Sequence, residues 1–267
     1  MNVQTTLQLL SWKKFGAMFL ILIGCFTGIY ELQKTNIGTI KSEQTERIYK
    51  QQAQKATLNL QILSKIPSFG FDNLLADWIF LRFIQYQGDR QARSITGYSL
   101  NPKYFKAIVE RDRRFLSAYF LLSPATSLFA ASPEVSVELI EKGAKKISPQ
   151  QFSRAYYLWF DKGRYEVLFL RDIPEAIRSY EMAEKWASFQ ETKEAKRRVE
   201  DAKEMIKLLK EDPISKKVQV NAWESTLSYA PDQATRDLVI NKIRQLGGEI
   251  TVTSEGELKD KLPESSE

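Results

Sequence analysis

The pattern of apolar and polar residues divides the chain into one continuous apolar segment and a series of helices with polar breaks. The apolar segment runs for sixteen uncharged residues, from Phe15 to Tyr30, directly after Lys13-Lys14. At 1.5 Å per residue, a helix of this length spans about 24 Å, somewhat less than a hydrocarbon core of roughly 30 Å. The two lysines would snorkel and lengthen the span, so the pattern predicts a transmembrane anchor.

Two other interpretations of the same segment stay open. Leu22-Ile23-Gly24-Cys25 resembles the bacterial lipoprotein box, which would make Cys25 a lipidated N-terminus, although apolar residues continue to Tyr30. The segment also fits a buried helix of a soluble protein. The lysines on its N-terminal side and Glu31 on its other side predict that the N-terminus is cytoplasmic and that the bulk of the chain lies outside the cytoplasm.

The residues after the anchor predict helices separated by short breaks. Residues 43–64 contain neither Gly nor Pro and predict a helix, which Pro67-Ser68-Phe69-Gly70 ends. Residues 73–87 are apolar nearly all the way round a helix, so we expect a central helix with neighbours on more than one side. The polar residues 88–97 predict a loop.

One stretch, residues 104–123, carries a set of residues at a recognisable spacing. The set is Asp112, Phe115, Ala118, Tyr119, Leu122 and Ser123. It resembles the junction between two tetratricopeptide (TPR) repeats, where an acidic turn is followed by an aromatic, a small residue before a bulky aromatic, and a Leu-Gly-like pair. Arg113 stands where that family has a turn proline. In such a junction Ala118 would let two helices approach, and Tyr119 and Leu122 would fill the gap.

Similar spacing recurs downstream. The small–bulky–small pattern of a TPR second helix is repeated twice, by Ser136, Ile140 and Gly143 and by Ala176, Tyr180 and Ala183. Trp78, Tyr119 and Trp159 are separated by 41 and 40 residues, whereas a standard TPR repeat has about 34. The resemblance implies degenerate repeats with longer turns, and a one-residue shift in frame predicts an insertion near Arg171-Asp172. A non-repetitive helical bundle is the alternative.

Together these elements predict an all-α fold, with an N-terminal transmembrane helix, an α-solenoid of about three TPR-like helix pairs and a C-terminal capping helix. We predict that residues 191–211 form the capping helix, because their apolar residues form one stripe and the other side of the helix is charged. The predicted boundaries are 1–14 for a cytoplasmic N-terminus, 15–30 for the anchor, 31–70 for a helical stalk, 71–189 for the repeats, 190–248 for the capping and C-terminal helices, and 249–267 for a disordered acidic tail.

The amino-acid composition excludes several kinds of catalytic and metal-binding site. The chain has no His and a single Cys, which excludes intramolecular disulfides, zinc sites and the Cys-His and Ser-His-Asp arrangements. It also lacks the glycine-rich phosphate-binding motifs. We therefore predict no catalytic residues, no metal site, no cofactor and no enzyme activity. The alternative is a glycosidase that uses two carboxylates, with Asp77, Glu110 and Glu138 as candidates.

Candidate binding residues come from the repeats and from a basic stretch. Trp78, Tyr119 and Trp159, grouped with Arg82, would line the inner helices of the solenoid and contact a protein partner. A basic excess between residues 82 and 114 predicts a patch that faces anionic lipid or an acidic partner, or else a solvated face. Its members are Arg90, Arg93, Lys103, Lys106, Arg111, Arg113 and Arg114. The formal charge of +6 is modest for this length, and no nucleic-acid partner is expected.

The segment from Asn73 to Arg82 looks like part of uncharacterised membrane-anchored TPR-like proteins of cyanobacteria. This resemblance implies a single-pass protein of the plasma or thylakoid membrane, held in the lipid bilayer by residues 15–30, with most of the chain in the periplasm or lumen. The expected function is a scaffold that binds a protein partner at the membrane and assists the assembly or stability of a membrane complex. A lipid-anchored periplasmic scaffold is the alternative.

Overall fold

The chain forms two compact units, Met1–Gln52 and Ala53–Glu267. The computed structural model describes Met18 and residues 20–31, 42–227, 233–252 and 258–261. Helix α1, residues 20–31, belongs to the first unit. The large apolar side chains of this region are exposed, namely Met18, Leu20, Ile21, Leu22, Ile23, Phe26, Ile29 and Tyr30.

The predicted anchor, residues 15–30, lies partly outside the described residues, which omit 15–17 and 19. Within the ranges that the structure describes, no helix has both the length and the apolar character that crossing a membrane requires. The predicted cytoplasmic N-terminus, residues 1–14, lies wholly outside those ranges. A transmembrane anchor therefore stays a prediction.

The remaining described chain is helical except for one hairpin, which confirms the all-α class. The helices are α2 (Ser42–Leu63), α3 (Asp72–Gly88), α4 (Arg90–Thr96), α5 (Asn101–Arg111), α6 (Leu116–Pro124), α7 (Pro133–Ala144), α8 (Tyr157–Tyr165), α9 (Ile173–Ala187), α10 (Lys193–Glu211), α11 (Lys216–Leu227) and α12 (Gln233–Gln245). Helix α6 continues into a π-helical turn, π1 (Ala125–Phe129), and α8 continues into a second, π2 (Glu166–Leu170).

Two segments differ from the prediction. The polar residues 88–97 contain helix α4, because the Asp89 carboxylate accepts a hydrogen bond from the Ala92 backbone N–H at 2.9 Å and caps the helix start. The acidic tail contains strands β1 (Glu249–Val252) and β2 (Leu258–Lys261), paired antiparallel with Glu249 opposite Lys261. Backbone pairing thus replaces the predicted disorder over these two strands.

Successive helices of the second unit share one core. Helix α3 packs on α5, α5 packs on α6 and α7, and each helix from α7 to α10 packs on the one before it. Phe105 and Ile108 of α5 are fully buried in this core. A smaller apolar cluster closes the C-terminal end around Trp223 of α11 and Val239 of α12. Each helix therefore buries its apolar side mainly against its neighbours in the sequence.

Aromatic rings and small residues set how closely these helices approach. Tyr119 of α6 is fully buried, and its ring covers Gly143 of α7 so tightly that a Cβ atom there would overlap it. The pairing is reversed in the next two helices, where a Cβ at Gly163 of α8 would lie 2.9 Å from the ring of Tyr180 of α9. The small and bulky positions predicted from the repeat spacing are the places where helices meet.

The two π-helical turns begin forty-one residues apart, and each is followed by a similar backbone hydrogen bond. The Ser132 backbone N–H donates to the Thr126 carbonyl, and the Asp172 N–H donates to the Glu166 carbonyl, both at 3.1 Å. A π turn accommodates one extra residue in a helix without breaking its hydrogen bonding. After each turn one residue adopts a left-handed conformation, Ala131 with φ of 49° and Arg171 with φ of 54°.

We predict that Gly143→Ala destabilises the protein, although alanine is normally the better helix former by about 1 kcal/mol. The new methyl group would overlap the buried Tyr119 ring, and we expect a loss of roughly 1–3 kcal/mol in the free energy of unfolding. Urea unfolding followed by circular dichroism measures this loss. Gly88→Ala is the matched control, because nothing lies within 4 Å of a Cβ there. If both variants are equally stable, the close approach at Gly143 is not as described.

Candidate functional site

Helix α3 carries apolar side chains on two opposite faces. Ala76, Ile79 and Phe83 are fully buried against the core. On the opposite face, Leu74, Trp78 and Leu81 are 61%, 54% and 57% exposed. Their spacing of four and three residues places them one above another on a helix. We call these three residues the outer α3 surface.

Further exposed apolar residues lie just before this surface in the chain. Phe69 and Phe71 are exposed on either side of Gly70 in the loop between α2 and α3. Leu58 and Ile62 are exposed near the end of α2, where they help to line an open hollow of about 500 Å³. A monomeric protein seldom exposes so many large apolar side chains in one region unless they form a contact site.

Arg111 fixes the segments on both sides of that loop to α5. Its guanidinium donates to the Leu63 carbonyl at 2.7 and 3.0 Å and to the Ile66 carbonyl at 2.6 Å, which caps the end of α2. It also pairs with Asp72 at 2.9 Å, at the start of α3. The hydrogen bond from Arg111 holds the pKa of Asp72 below its usual value. The exposed apolar residues are therefore presented by a fixed backbone.

The structure separates the four predicted partner-binding residues. Trp78 and Arg82 are exposed, one turn apart on α3. Tyr119 is fully buried, donates its hydroxyl to the Arg113 carbonyl at 3.1 Å and packs edge-on against Phe105. Trp159 is partly buried against Trp186, with ring centroids 5.7 Å apart. The predicted gripping surface is corrected accordingly, because Tyr119 fills a helix–helix gap and cannot reach a partner.

The predicted basic patch is also divided. Arg93 is 8% exposed, stacks 3.5 Å from the centre of the Tyr86 ring and donates to the Gly97 carbonyl. Arg111, with a side chain 9% exposed, has the internal role described above. These two arginines are structural and not part of a patch, because their donors are directed at carbonyl groups of the protein and, for Arg111, also at the Asp72 carboxylate. The five exposed members are Arg90, Lys103, Lys106, Arg113 and Arg114.

A second cluster, in α8 and π2, consists of buried charges. Asp161 pairs with Arg164 at 2.9 Å, and Lys162 pairs with Glu166 at 2.6 Å, with all four side chains at most 8% exposed. Ser179 of α9 donates to Glu166 at 2.6 Å. Burial raises the pKa of Asp161 to about 6, against the opposing effect of the nearby Arg164. Each carboxylate is paired with a cation inside the helix packing, so removal of one partner would leave an uncompensated buried charge.

The three carboxylates considered for a glycosidase are all exposed, and two of them pair with a lysine. Asp77 is exposed on α3. Glu110 pairs with Lys106 at 4.0 Å and Glu138 pairs with Lys142 at 2.5 Å, each one turn away on the same helix. A hydrolase of this kind needs two carboxyl groups facing each other across a cleft, whereas these three side chains are exposed on α3, α5 and α7.

We predict that the contribution of Asp161 to stability falls as the pH rises. Its pKa is about 6 in the folded protein against an ordinary value of 3.8, so folding favours the protonated form. Its stabilising contribution is complete below about pH 4 and is lost as the pH passes through 6. The free energy of unfolding of the wild type minus that of Asp161→Asn should fall by roughly 2 kcal/mol between pH 4 and pH 7 in urea titrations.

The control is Gly143→Ala, which is destabilised without any change in titratable groups. Its difference from the wild type should stay constant over the same pH range. If the difference in unfolding free energy between the wild type and Asp161→Asn stays constant, or rises with pH, the raised pKa assigned to Asp161 is wrong.

The site that the geometry singles out is the outer α3 surface with Arg82 beside it. Of the predicted binding residues, Trp78 and Arg82 lie there, while Tyr119 and Trp159 do not. In the described ranges no group of three or more Cys, Asp and Glu side chains is placed to hold a metal ion. Comparison of the chain with protein-family models gave no match, and neither the curated proteins nor the solved structures yielded one.

Proposed function

We propose that the chain is a single-pass, membrane-anchored TPR-like scaffold that binds a protein partner through the outer α3 surface. Most of the chain would lie in the periplasm or lumen, and its task would be to assist the assembly or stability of a membrane complex. The observation that carries the proposal is the exposure of Leu74, Trp78 and Leu81 on a helix that is already packed on its other side.

The energetics of an end helix support a protein partner. In a stack of helical repeats each unit buries its apolar side against the next, and a terminal helix needs a polar outer face to stay soluble. The outer face of helix α3 is apolar instead of polar. A partner protein could therefore pack against this face as one more layer of the stack. Trp is among the residues that contribute most to protein interfaces, particularly when it lies at the centre of an apolar contact.

The repeat character of the stack supports the TPR-like part of the proposal. Helices α6 and α8 both end in a π turn, and Pro133 and Pro174 occupy the first turn of the helices that follow. Ser136, Ile140 and Gly143 on α7 take the same inward positions as Ala176, Tyr180 and Ala183 on α9. Two helix pairs with a common plan are expected in a TPR-like array, in which stacked repeats create an extended binding surface.

The exposed apolar residues of α1 support the anchor. Leu20, Ile21 and Leu22 are consecutive, so their side chains point to three different sides of the helix, and all are exposed. A helix that is apolar all round needs a protein or lipid environment on every side. A bilayer would provide it for residues 15–30.

We predict that Trp78→Glu abolishes recovery of the membrane partner. A photo-crosslinking residue at position 74, expressed in the native membrane, should attach to a reproducible partner that mass spectrometry identifies. A charge buried at the centre of the contact should reduce that crosslink at least about tenfold, as expected for a hot-spot residue. Because Trp78 is exposed, the thermal unfolding of the variant should change little.

Gln85→Glu is the matched control, since Gln85 is exposed two turns along the same face and the variant adds the same charge. Its crosslink should match that of the wild type. The absence of a reproducible membrane partner at position 74, or an equal loss in both variants, would refute the proposed surface.

We predict that Cys25→Ser changes neither the membrane attachment nor the mass of the mature protein beyond the substitution itself, because a spanning helix does not need the thiol, whereas a lipoprotein would lose its acyl chains. In that cysteine-free background, Glu191→Cys, whose native side chain is 91% exposed, should react with an impermeant maleimide added outside sealed right-side-out vesicles. Ser11→Cys, on the predicted cytoplasmic side, should react only after permeabilisation. The reverse labelling pattern would overturn the orientation.

A further inference from the structure

Two exposed arginines are stacked on aromatic rings at the turns that lead into α6 and α8. The Arg114 guanidinium lies 5.7 Å from the centre of the Phe152 ring. The Arg154 guanidinium lies 5.7 Å from the Phe120 ring centre and 5.2 Å from that of Tyr157. Both arginines are exposed. We call Arg114 and Arg154, with these three rings, the arginine–aromatic surface.

The repeat plan of the fold brings this surface together. Arg114 and Arg154 are forty residues apart, each shortly before the first helix of a pair. Arg114 also donates to the Gln151 side-chain oxygen at 2.8 Å, which joins the two turns directly. Phe120 and Tyr157 meet edge-on with centroids 6.2 Å apart, so the surface is continuous from α6 to α8.

A third helix fixes the orientation of the central ring. The Tyr157 hydroxyl donates to Glu194 of α10 at 2.6 Å. Arg198, which pairs with Asp201 at 2.7 Å, donates to the same hydroxyl at 3.3 Å. Because Tyr157 is itself buried, the ring under Arg154 has a fixed position and does not rely on the ligand for it.

The two stacked arginines lack carboxylate partners within the described part of the chain. No Asp or Glu oxygen there lies within 4.0 Å of a guanidinium nitrogen of Arg114 or Arg154. Four other arginines do pair with carboxylates, namely Arg111, Arg164, Arg178 and Arg198. Stacking leaves the N–H edges of a guanidinium available, and those edges match a carboxylate in bidentate geometry.

We propose that the arginine–aromatic surface binds an acidic peptide segment of a protein partner, with carboxylates of that segment on Arg114 and Arg154. Aromatic rings behind the two guanidinium groups hold them in place, which reduces the side-chain entropy lost on binding. This site lies apart from the outer α3 surface in the sequence and does not depend on it.

The same rings argue against nucleic acid as the ligand. Single-stranded nucleic acid binds by stacking its bases on open aromatic faces. Tyr157 is buried, Phe120 and Phe152 are partly buried, and each of the three has an arginine over its ring. The carboxylates of a peptide need only the N–H edges of the guanidinium groups, which stay available. Bases would need the ring faces and would have to displace the arginines from them.

The test is fluorescence anisotropy with a labelled twelve-residue Asp/Glu-rich peptide and the full chain in non-ionic detergent. The double variant Arg114→Ala with Arg154→Ala should weaken binding about tenfold or more, as expected for loss of two charge-assisted pairs. Replacing both arginines by Lys keeps the charge but loses the planar fork, and should still weaken binding about fivefold. Lys55→Gln with Lys65→Gln removes the same charge from two exposed lysines elsewhere and should leave affinity within about twofold.

Three results would overturn the proposal. The first is wild-type affinity in the Lys double variant, which would indicate attraction by charge alone. The second is an equal loss in the lysine-to-glutamine control. The third is tighter binding of a single-stranded oligonucleotide, or of anionic vesicles, that is lost in the same Arg variants. If the Ala double variant does not fold by circular dichroism, the Lys double variant decides, because it keeps the charge and the stem of each side chain.

Discussion

The fold depends on neutralising four charges inside helix α8 and the turn that continues it. Asp161 and Arg164 pair at a spacing of three residues, and Lys162 and Glu166 pair at a spacing of four. Every residue of α8 except Trp159 is buried. Removing one member of a buried pair leaves an uncompensated charge and costs about 3–5 kcal/mol. The interior position of α8 is therefore sensitive to the loss of any one of these four side chains.

This network also fixes how the neighbouring helices sit on α8. The Tyr165 hydroxyl and Ser123 of α6 are hydrogen-bonded at 2.9 Å, and burial raises the pKa of that tyrosine, which keeps it protonated. On the other side, Ser179 of α9 contacts both Lys162 and Glu166. A polar network with few alternative partners specifies position more strongly than apolar packing, which tolerates sliding. The register of α6, α8 and α9 follows from these contacts.

The sequence identified most helices but predicted that α3 is central and did not single out α8 as the enclosed helix. Helix α3 is apolar all round and was predicted to be central, yet only Ala76, Ile79 and Phe83 are buried in it. Helix α8, which contains Asp161, is the enclosed one. The periodicity of apolar residues predicts helices and their packing positions, such as Gly143. It assigns every charged residue to the surface, even when an oppositely charged residue one turn away neutralises it. Opposite charges at helical spacing within an aromatic segment were the signal for a buried helix.

Arginine side chains show why residue type alone did not identify the binding surfaces. Arg111 lies in the predicted basic patch, but carbonyl oxygens and a carboxylate occupy its donors, so it closes a helix end. Arg114, three residues later, is held by the Phe152 ring face and one side-chain amide oxygen. A ring orients a guanidinium without using its hydrogen-bond donors, whereas a carboxylate uses them. Whether an arginine stabilises the fold or remains available to a ligand is therefore decided by the acceptor beside it, which only the three-dimensional structure supplies.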